Sequence, residues 1–434
     1  MKKTILILIF LANICYSQYP SFYEQNSGVN VQLNSASKPL VSFYYYFGYI
    51  IGWACGNSGT VIRTTTYGTS WLSVGSNGIP SSASLYSICA LDSGHAVVAG
   101  VVGSNSYVWR TSNLGNNWVQ VFSQPNGFIN AILFKNANTG FMIGNPVGGR
   151  WSLWKTVSAG LTWDSAGLFL PQSGSETGWN NSFFIDTNRL WFGTNNYRIY
   201  YSSNFGQSWS IQSTGSEQNI YSINFNYVNF TSRMGFAGGS NLFKTTNDGI
   251  NWSGISSLGT GNISAITALS GYPASVVIYS RANKIYITSN SGTNWVDRYT
   301  SPSGNYTAVA IYAQDGDHYQ IFFVRTDGGI SYSNLWEGVK KIGNDVPYKF
   351  SLSQNYPNPF NPATVINYKL PITNYVKLMI YDALGREVAV LVNEKKQAGE
   401  YQVIWDASNF ASGIYFYKLE TESFIQTKRM VLMK

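Results

Sequence analysis

The chain has 434 residues, of which only 11% are charged while 16% are aromatic, and Gly contributes 42. An average soluble protein carries roughly 25% charged residues, so this surface is polar mainly through Ser, Thr, Asn and Gln; a single long apolar run, at the start, excludes a multi-span membrane protein, and the aromatic and β-branched content excludes disorder. The formal charge of +8 divides into 12 Lys and Arg against 8 Asp and Glu from Lys340 onward and 14 against 12 in 19–339, too even a balance to mark a nucleic-acid surface.

The N-terminus, MKKTILILIFLANICYSQ, joins Lys2 and Lys3 to an apolar stretch from Ile5 to Ile14 and a small residue, Ser17. This pattern reads as a secretory signal peptide over 1–17, too short to span a bilayer. Cys15 follows Ile14, where a lipidated cysteine wants a small neighbour, so lipidation is disfavoured. Cleavage near Ser17 leaves Cys55 and Cys89. They form a disulfide or, the favoured reading, sit as two small buried hydrophobes on neighbouring strands.

Residues 18–339 repeat. Trp71, Trp118, Trp163, Trp209, Trp252, Trp295 and Trp336 are separated by 47, 45, 46, 43, 43 and 41 residues. Before the first six the chain reads RTTTYGTSW, RTSNLGNNW, KTVSAGLTW, YSSNFGQSW, KTTNDGINW and ITSNSGTNW. Gly stands three places before Trp in each, a short polar residue five before, and Ser or Thr seven before. Gly supplies the positive φ of a tight hairpin, the polar residue bonds the turn's own backbone, and Trp covers the hairpin with apolar surface. About four strands per unit of about 44 residues is the arithmetic of a propeller blade. The spacing predicts an all-β chain with a seven-bladed β-propeller. The opening segment VNVQL (29–33) is expected to pair with the last blade and seal the ring.

At these residues the chain resembles the Asp-box, or BNR-repeat, propellers, and within them the photosystem II assembly-factor-like group, related more distantly to sortilin-type and sialidase-type propellers. The usual box aspartate is replaced by Asn, Thr or Ser in every unit, and Asp248 lies one place later. The boxes therefore read as scaffold, without a catalytic or metal role.

After a linker at 340–349 the composition changes again. Val376, Leu378 and Ile380 alternate on one strand, Val388, Val390 and Val392 on the next, with Asp382 to Gly385 as the turn. Residues 350–434 thus predict a small Ig-like β-sandwich. The segments NYPNPFNP, IYDALGREV, SGIYFYKL and KRMVLMK resemble the C-terminal sorting domain of the type IX secretion system, which shares features with the immunoglobulin-like domain of the flagellar-hook-cap family. The resemblance implies the type IX machinery as a partner, outer-surface or secreted localisation, and no transmembrane segment in the mature chain.

Enzyme sites on propellers lie on the face opposite the box turns. Few acids are placed there. Glu176 and Glu217 fall in equivalent loops of adjacent blades, the pair a glycosidase would need, although two solvated loop charges are the plainer reading. His95 and His318 are the only histidines, which argues against zinc and His-based triads; no metal or cofactor is expected. Arg150, Arg198, Arg281 and Arg325 fall at the inner loops of four blades, where forked donors on one rim would clamp an anion. Trp179, Asn180 and Tyr197 add stacking and amide contacts suited to sugars. The sequence thus points to a secreted propeller that binds a glycan or another extracellular macromolecule. The alternatives are a glycoside hydrolase or lyase on the same face, and a purely structural surface module.

Overall fold

The computed structural model describes residues 22–40, 52–66, 68–217, 219–227, 233–268, 276–315, 318–336, 339–343, 347, 349–407 and 409–433. The expected signal peptide at 1–17 lies outside them. The chain divides into two compact units, Ser21–Asn334 and Leu335–Lys434.

In the first unit, strand pairing among the described residues gives seven sheets. Their inner strands are Leu33–Ser37, Ser84–Ala90, Ile129–Phe134, Gly178–Asp186, Ser222–Tyr227, Ile263–Ala268 and Tyr306–Asp315. Each leads an antiparallel meander of short strands. The fourth and fifth sheets are also joined by one parallel pair, Asn181 with Ser222. Each inner strand touches the next, and the last touches the first. Sheets arranged radially around such a closed ring form a β-propeller.

The apolar core lies between sheets. Trp53 and Val61 of the first meet Leu85, Val98 and Trp109 of the second, and Phe141 and Trp151 of the third meet Phe183 and Phe192 of the fourth. Cys55 and Cys89 sit buried in two different clusters and are both free thiols. Burial raises both, Cys89 to about 12. They pack as small hydrophobes.

The box columns do the work assigned to them. Ser or Thr seven before Trp accepts the amide of the box glycine at 2.8–3.1 Å in all six turns. The polar residue five before accepts the amide just ahead of Trp at 2.8–3.0 Å. Each turn is also a joint with the preceding sheet: Trp118 Nε1 donates to Val74 O at 2.8 Å, and Arg110 Nε and Lys244 Nζ reach the carbonyls of Ala159 and Ser291 in the following turns. Asp248 turns to Arg189 and Arg233, each at 3.0 Å, tying the fourth sheet to the fifth.

The ring is sealed by both termini, but not through residues 29–33. Tyr23, Glu24 and Gln25 pair with Tyr332, Ser331 and Ile330 as the outer strand of the last sheet. The stretch after them passes Gly328 of that sheet and becomes the inner strand of the first. Trp336 ends the third strand of the last sheet, Ile330–Trp336, rather than following a box turn.

The second unit holds two four-stranded sheets, and its buried cluster includes Val376, Leu378, Ile380, Tyr417 and Trp405. The stretch expected as a linker carries a strand, Val339–Gly343, which pairs with Gly399–Asp406. A register shift beside Leu391 breaks the expected alternation. Ala389, Leu391 and Val392 turn inward, and Val390 is 40% exposed.

Candidate functional site

A cavity of about 560 Å3 opens at the start of the inner strands, on the ring face opposite the box turns. Its walls come from six of the seven sheets. Local β-bulges build it. In the first, third, sixth and seventh sheets the pairing slips by one residue, leaving Asn34, Asn130, Ser264 and Thr307 unpaired with the neighbouring strand. A bulge re-aims its side chain, and all four line the cavity. In the fourth sheet the pairing jumps from Gly178 with Thr194 to Phe183 with Phe192. The residues between leave their sheet and enter the channel, which is how Trp179, Asn180 and Asn181 reach the cavity wall.

Polar side chains on the inner strands also stitch the ring. Asn34 Nδ2 donates to Leu85 O at 2.8 Å, Ser87 Oγ accepts the Ile132 amide at 2.9 Å, and Thr307 Oγ1 donates to Leu33 O at 2.5 Å. Neighbouring inner strands share little backbone pairing, so these contacts satisfy groups a sheet ladder would otherwise satisfy.

The described lining carries amides, hydroxyls and aromatic rings, and no Asp, Glu, His, Lys or Arg. Trp179 and Tyr221 form one aromatic pair, with ring centroids 4.5 Å apart and planes at 56°. Phe128 belongs to another, with Tyr86 at 4.7 Å. Trp179 and Asn180, both named from the sequence, stand at the cavity.

The arginines do not form the free rim expected of them. Arg150, Arg281 and Arg325 begin or end strands and Arg198 directly precedes one, all at the same end of the ring, but burial has to be compensated by pairing, and Arg198, Arg281 and Arg325 are taken up by their own surroundings. Arg325 is 3% exposed and bonds Glu24, Asp327 and Ser331. Arg281, 4% exposed, donates to the carbonyls of Gly259 and Ser240 and to Ser257 Oγ. Arg198 lies 3.5 Å from Glu176. Arg150 is exposed at the start of its strand, and Tyr197 is an exposed turn residue with φ of 60°; neither lines the cavity.

The two glutamates are likewise separate from the cavity. Glu176 is buried, accepting from Tyr200 Oη at 2.8 Å. Burial first, then that bond and the carboxylate's charge, push the Tyr200 phenol up to about 12. Glu217 accepts from Ser240 Oγ at 2.9 Å and from the Asn241 amide at 3.0 Å, closing the 239–241 turn of its own sheet. Neither is the solvated loop charge of the plainer reading: both carboxylates are buried and hydrogen-bonded. Among the described residues, no three His, Cys, Asp or Glu side chains converge to hold a metal ion.

Residues 354–433 match the family model of the secretion system C-terminal sorting domain. The tail is a sorting domain. It implies export by type IX secretion, to the cell surface or beyond, and interaction with that machinery. No curated protein matches the chain. Among solved structures it is similar to YCF48 bound to D1 peptide (TM-score 0.56, 15% identity, covering 73% of this chain and 97% of that one). It is also similar to YCF48 from Cyanidioschyzon merolae (0.56, 14%, 72% and 98%). A third is the GH74 enzyme of Niastella koreensis (0.50, 11%, 93% and 67%). Identities this low speak to the propeller fold alone. Among the described residues no helix is long and apolar enough to cross a membrane.

The sequence reading missed Asn34, Asn130, Tyr221 and the other amide and aromatic wall residues. Their signal was present: a polar or aromatic residue directly after the first apolar residue of several inner strands, as in Leu33-Asn34, Leu85-Tyr86, Ile129-Asn130 and Ile263-Ser264. These positions stand 37, 32, 33 and 31 residues before the box tryptophans. The drift, from loops of unequal length, hid the column when the repeats were aligned on Trp.

Proposed function

We propose that the chain enters the secretory route through residues 1–17, is exported by its sorting domain, and uses the propeller to bind a neutral glycan without catalysis. The observation that carries this reading is the cavity wall itself: aromatic faces beside uncharged amides, with no described carboxylate, imidazole or ammonium group among them. Aromatic faces supply apolar contact for the C–H faces of sugar rings, and amides match hydroxyls as both donors and acceptors. An acidic ligand finds no buried cation waiting there, since Arg281 and Arg325 are already paired. A hydrolase would need two carboxylates about 5–10 Å apart around the scissile bond, whereas Glu176 is engaged by Tyr200 and Arg198 and Glu217 by the 239–241 turn, and neither lines the cavity.

The test is a panel of neutral glycans, acidic glycans and unglycosylated peptides, offered to the wild-type chain and to Trp179→Ala. Neutral glycans are expected to be retained, and Trp179→Ala to weaken binding by roughly 1–2 kcal/mol through lost stacking area. Selective retention of acidic glycans or of peptides, or an unaffected Trp179→Ala, would contradict the reading.

A further inference from the structure

The cavity has a floor. Asn181 belongs to the inner strand of the fourth sheet, yet its Nδ2 donates to Ser264 O at 3.2 Å and to Thr307 O at 2.5 Å. Those carbonyls belong to the sixth and seventh sheets, neither of which neighbours the fourth in the ring. The amide therefore crosses the channel instead of following its wall. Beneath it begins a second cavity of about 330 Å3, and Asn180 and Asn181 line both. The upper cavity is within the ~300–1,000 Å3 common for small-ligand sites, and the Asn181 amide crosses the channel at its lower end.

Among the described wall residues two buried side-chain atoms are left without a partner, Asn130 Oδ1 and Trp179 Nε1. Asn130 is 3% exposed and lines the upper cavity, and its Oδ1 is buried with no hydrogen bond. Asn34, across the ring, shows the contrast: its amide is engaged at both ends, by Gln32 Nε2 at 2.6 Å and Leu85 O at 2.8 Å. Buried acceptors are ordinarily satisfied, so Asn130 Oδ1 calls for a donor arriving from the cavity. In an uncharged wall the matching donor is a hydroxyl.

We propose that the cavity takes the terminal residue of a neutral glycan end-on, a hydroxyl of that residue donating to Asn130 Oδ1 while Asn181 stops the chain from threading the ring. An open cleft accepts internal residues of a polymer; a funnel crossed at its lower end accepts a terminus. The proposal rests on the glycan-binding reading above and adds to it the mode of entry and the residue that reads the terminus.

The test applies the full chain to an array on which every neutral oligosaccharide is printed twice, once with its non-reducing end free and once with that end carrying a bulky aryl cap. Capture of free-ended chains alone is expected. Asn130→Ala, with an unchanged melting temperature, should weaken that capture about tenfold. Equal capture of capped and free chains overturns end-on entry and leaves the binding reading intact, whereas capture of no neutral glycan overturns both. Wild-type capture by Asn130→Ala removes that residue from the site. If Asn130→Ala does not fold, Asn130→Ser provides the same comparison, and the capped and free pairs decide the entry mode with the wild-type chain alone.

Discussion

At the scale of single residues, Arg325 fastens the N-terminal strand to the last sheet. Glu24 accepts from Arg325, from Ser331 Oγ at 2.7 Å and from Tyr299 Oη at 2.9 Å. Glu24→Gln removes the charge from this closure and leaves the buried guanidinium underpaired, so denaturant unfolding should show a loss of roughly 1–3 kcal/mol. An unchanged midpoint would mean the ring closes without it. The same cluster makes stability sensitive to acid. Burial would raise the Asp327 carboxyl, but hydrogen bonds from Arg325, Ser303 Oγ and the Gly329 amide outweigh it and hold the group at about 2. An unfolded Asp titrates near 3.9, so this stabilisation is complete above about pH 4 and is lost as pH falls toward 2. Asp327→Asn should therefore be less stable than wild type at pH 5, with the gap clearly narrower at pH 2.5. A gap that stays constant across that range would contradict the assignment. One partner of Arg325, Asp327, is two residues away, but the other, Glu24, is 301 residues away, and no local pattern reports that second pairing.

At the scale of elements, the box turn was legible because all of its parts lie within eight residues. The Ser or Thr, the short polar residue, the Gly and the Trp each have the local role their spacing implies. What the spacing could not show is the turn's second role as a joint between sheets. A Cβ on Gly206, at φ of +83°, would lie 2.7 Å from the Phe141 ring of the preceding sheet, whereas Gly167, at φ of +74°, has nothing within 4 Å. Both alanine substitutions meet the same backbone strain. Gly206→Ala should lose about 1–3 kcal/mol more than Gly167→Ala, because only it overpacks a core; equal losses in thermal unfolding would reduce the box glycine to a conformational role. The bulges were illegible for the opposite reason. Register is set by pairing between strands, and a polar residue inside an apolar strand reads as ordinary alternation until its partner is known. In the sandwich the same effect turned Val390 outward.

At the scale of the whole molecule, the division into a ring of sheets and a sorting domain could be read from the repeat and from the tail's own motifs. The main cavity opens on the face expected from the sequence, opposite the box turns, and Trp179 and Asn180 stand in its wall. The arginines expected on that face lie outside the cavity lining, with Arg281 and Arg325 buried and paired, and amides and aromatic rings form the described wall. The salt dependence of affinity is the most direct measurement of the neutral recognition proposed above. Exposed charges interact over about 8–10 Å at physiological ionic strength and over about 3 Å at 1 M. Titration of the full chain with a retained glycan at 50 mM and at 1 M sodium chloride should give the same dissociation constant within about twofold. A tenfold or greater weakening at high salt would contradict the account and return the site to a charged rim.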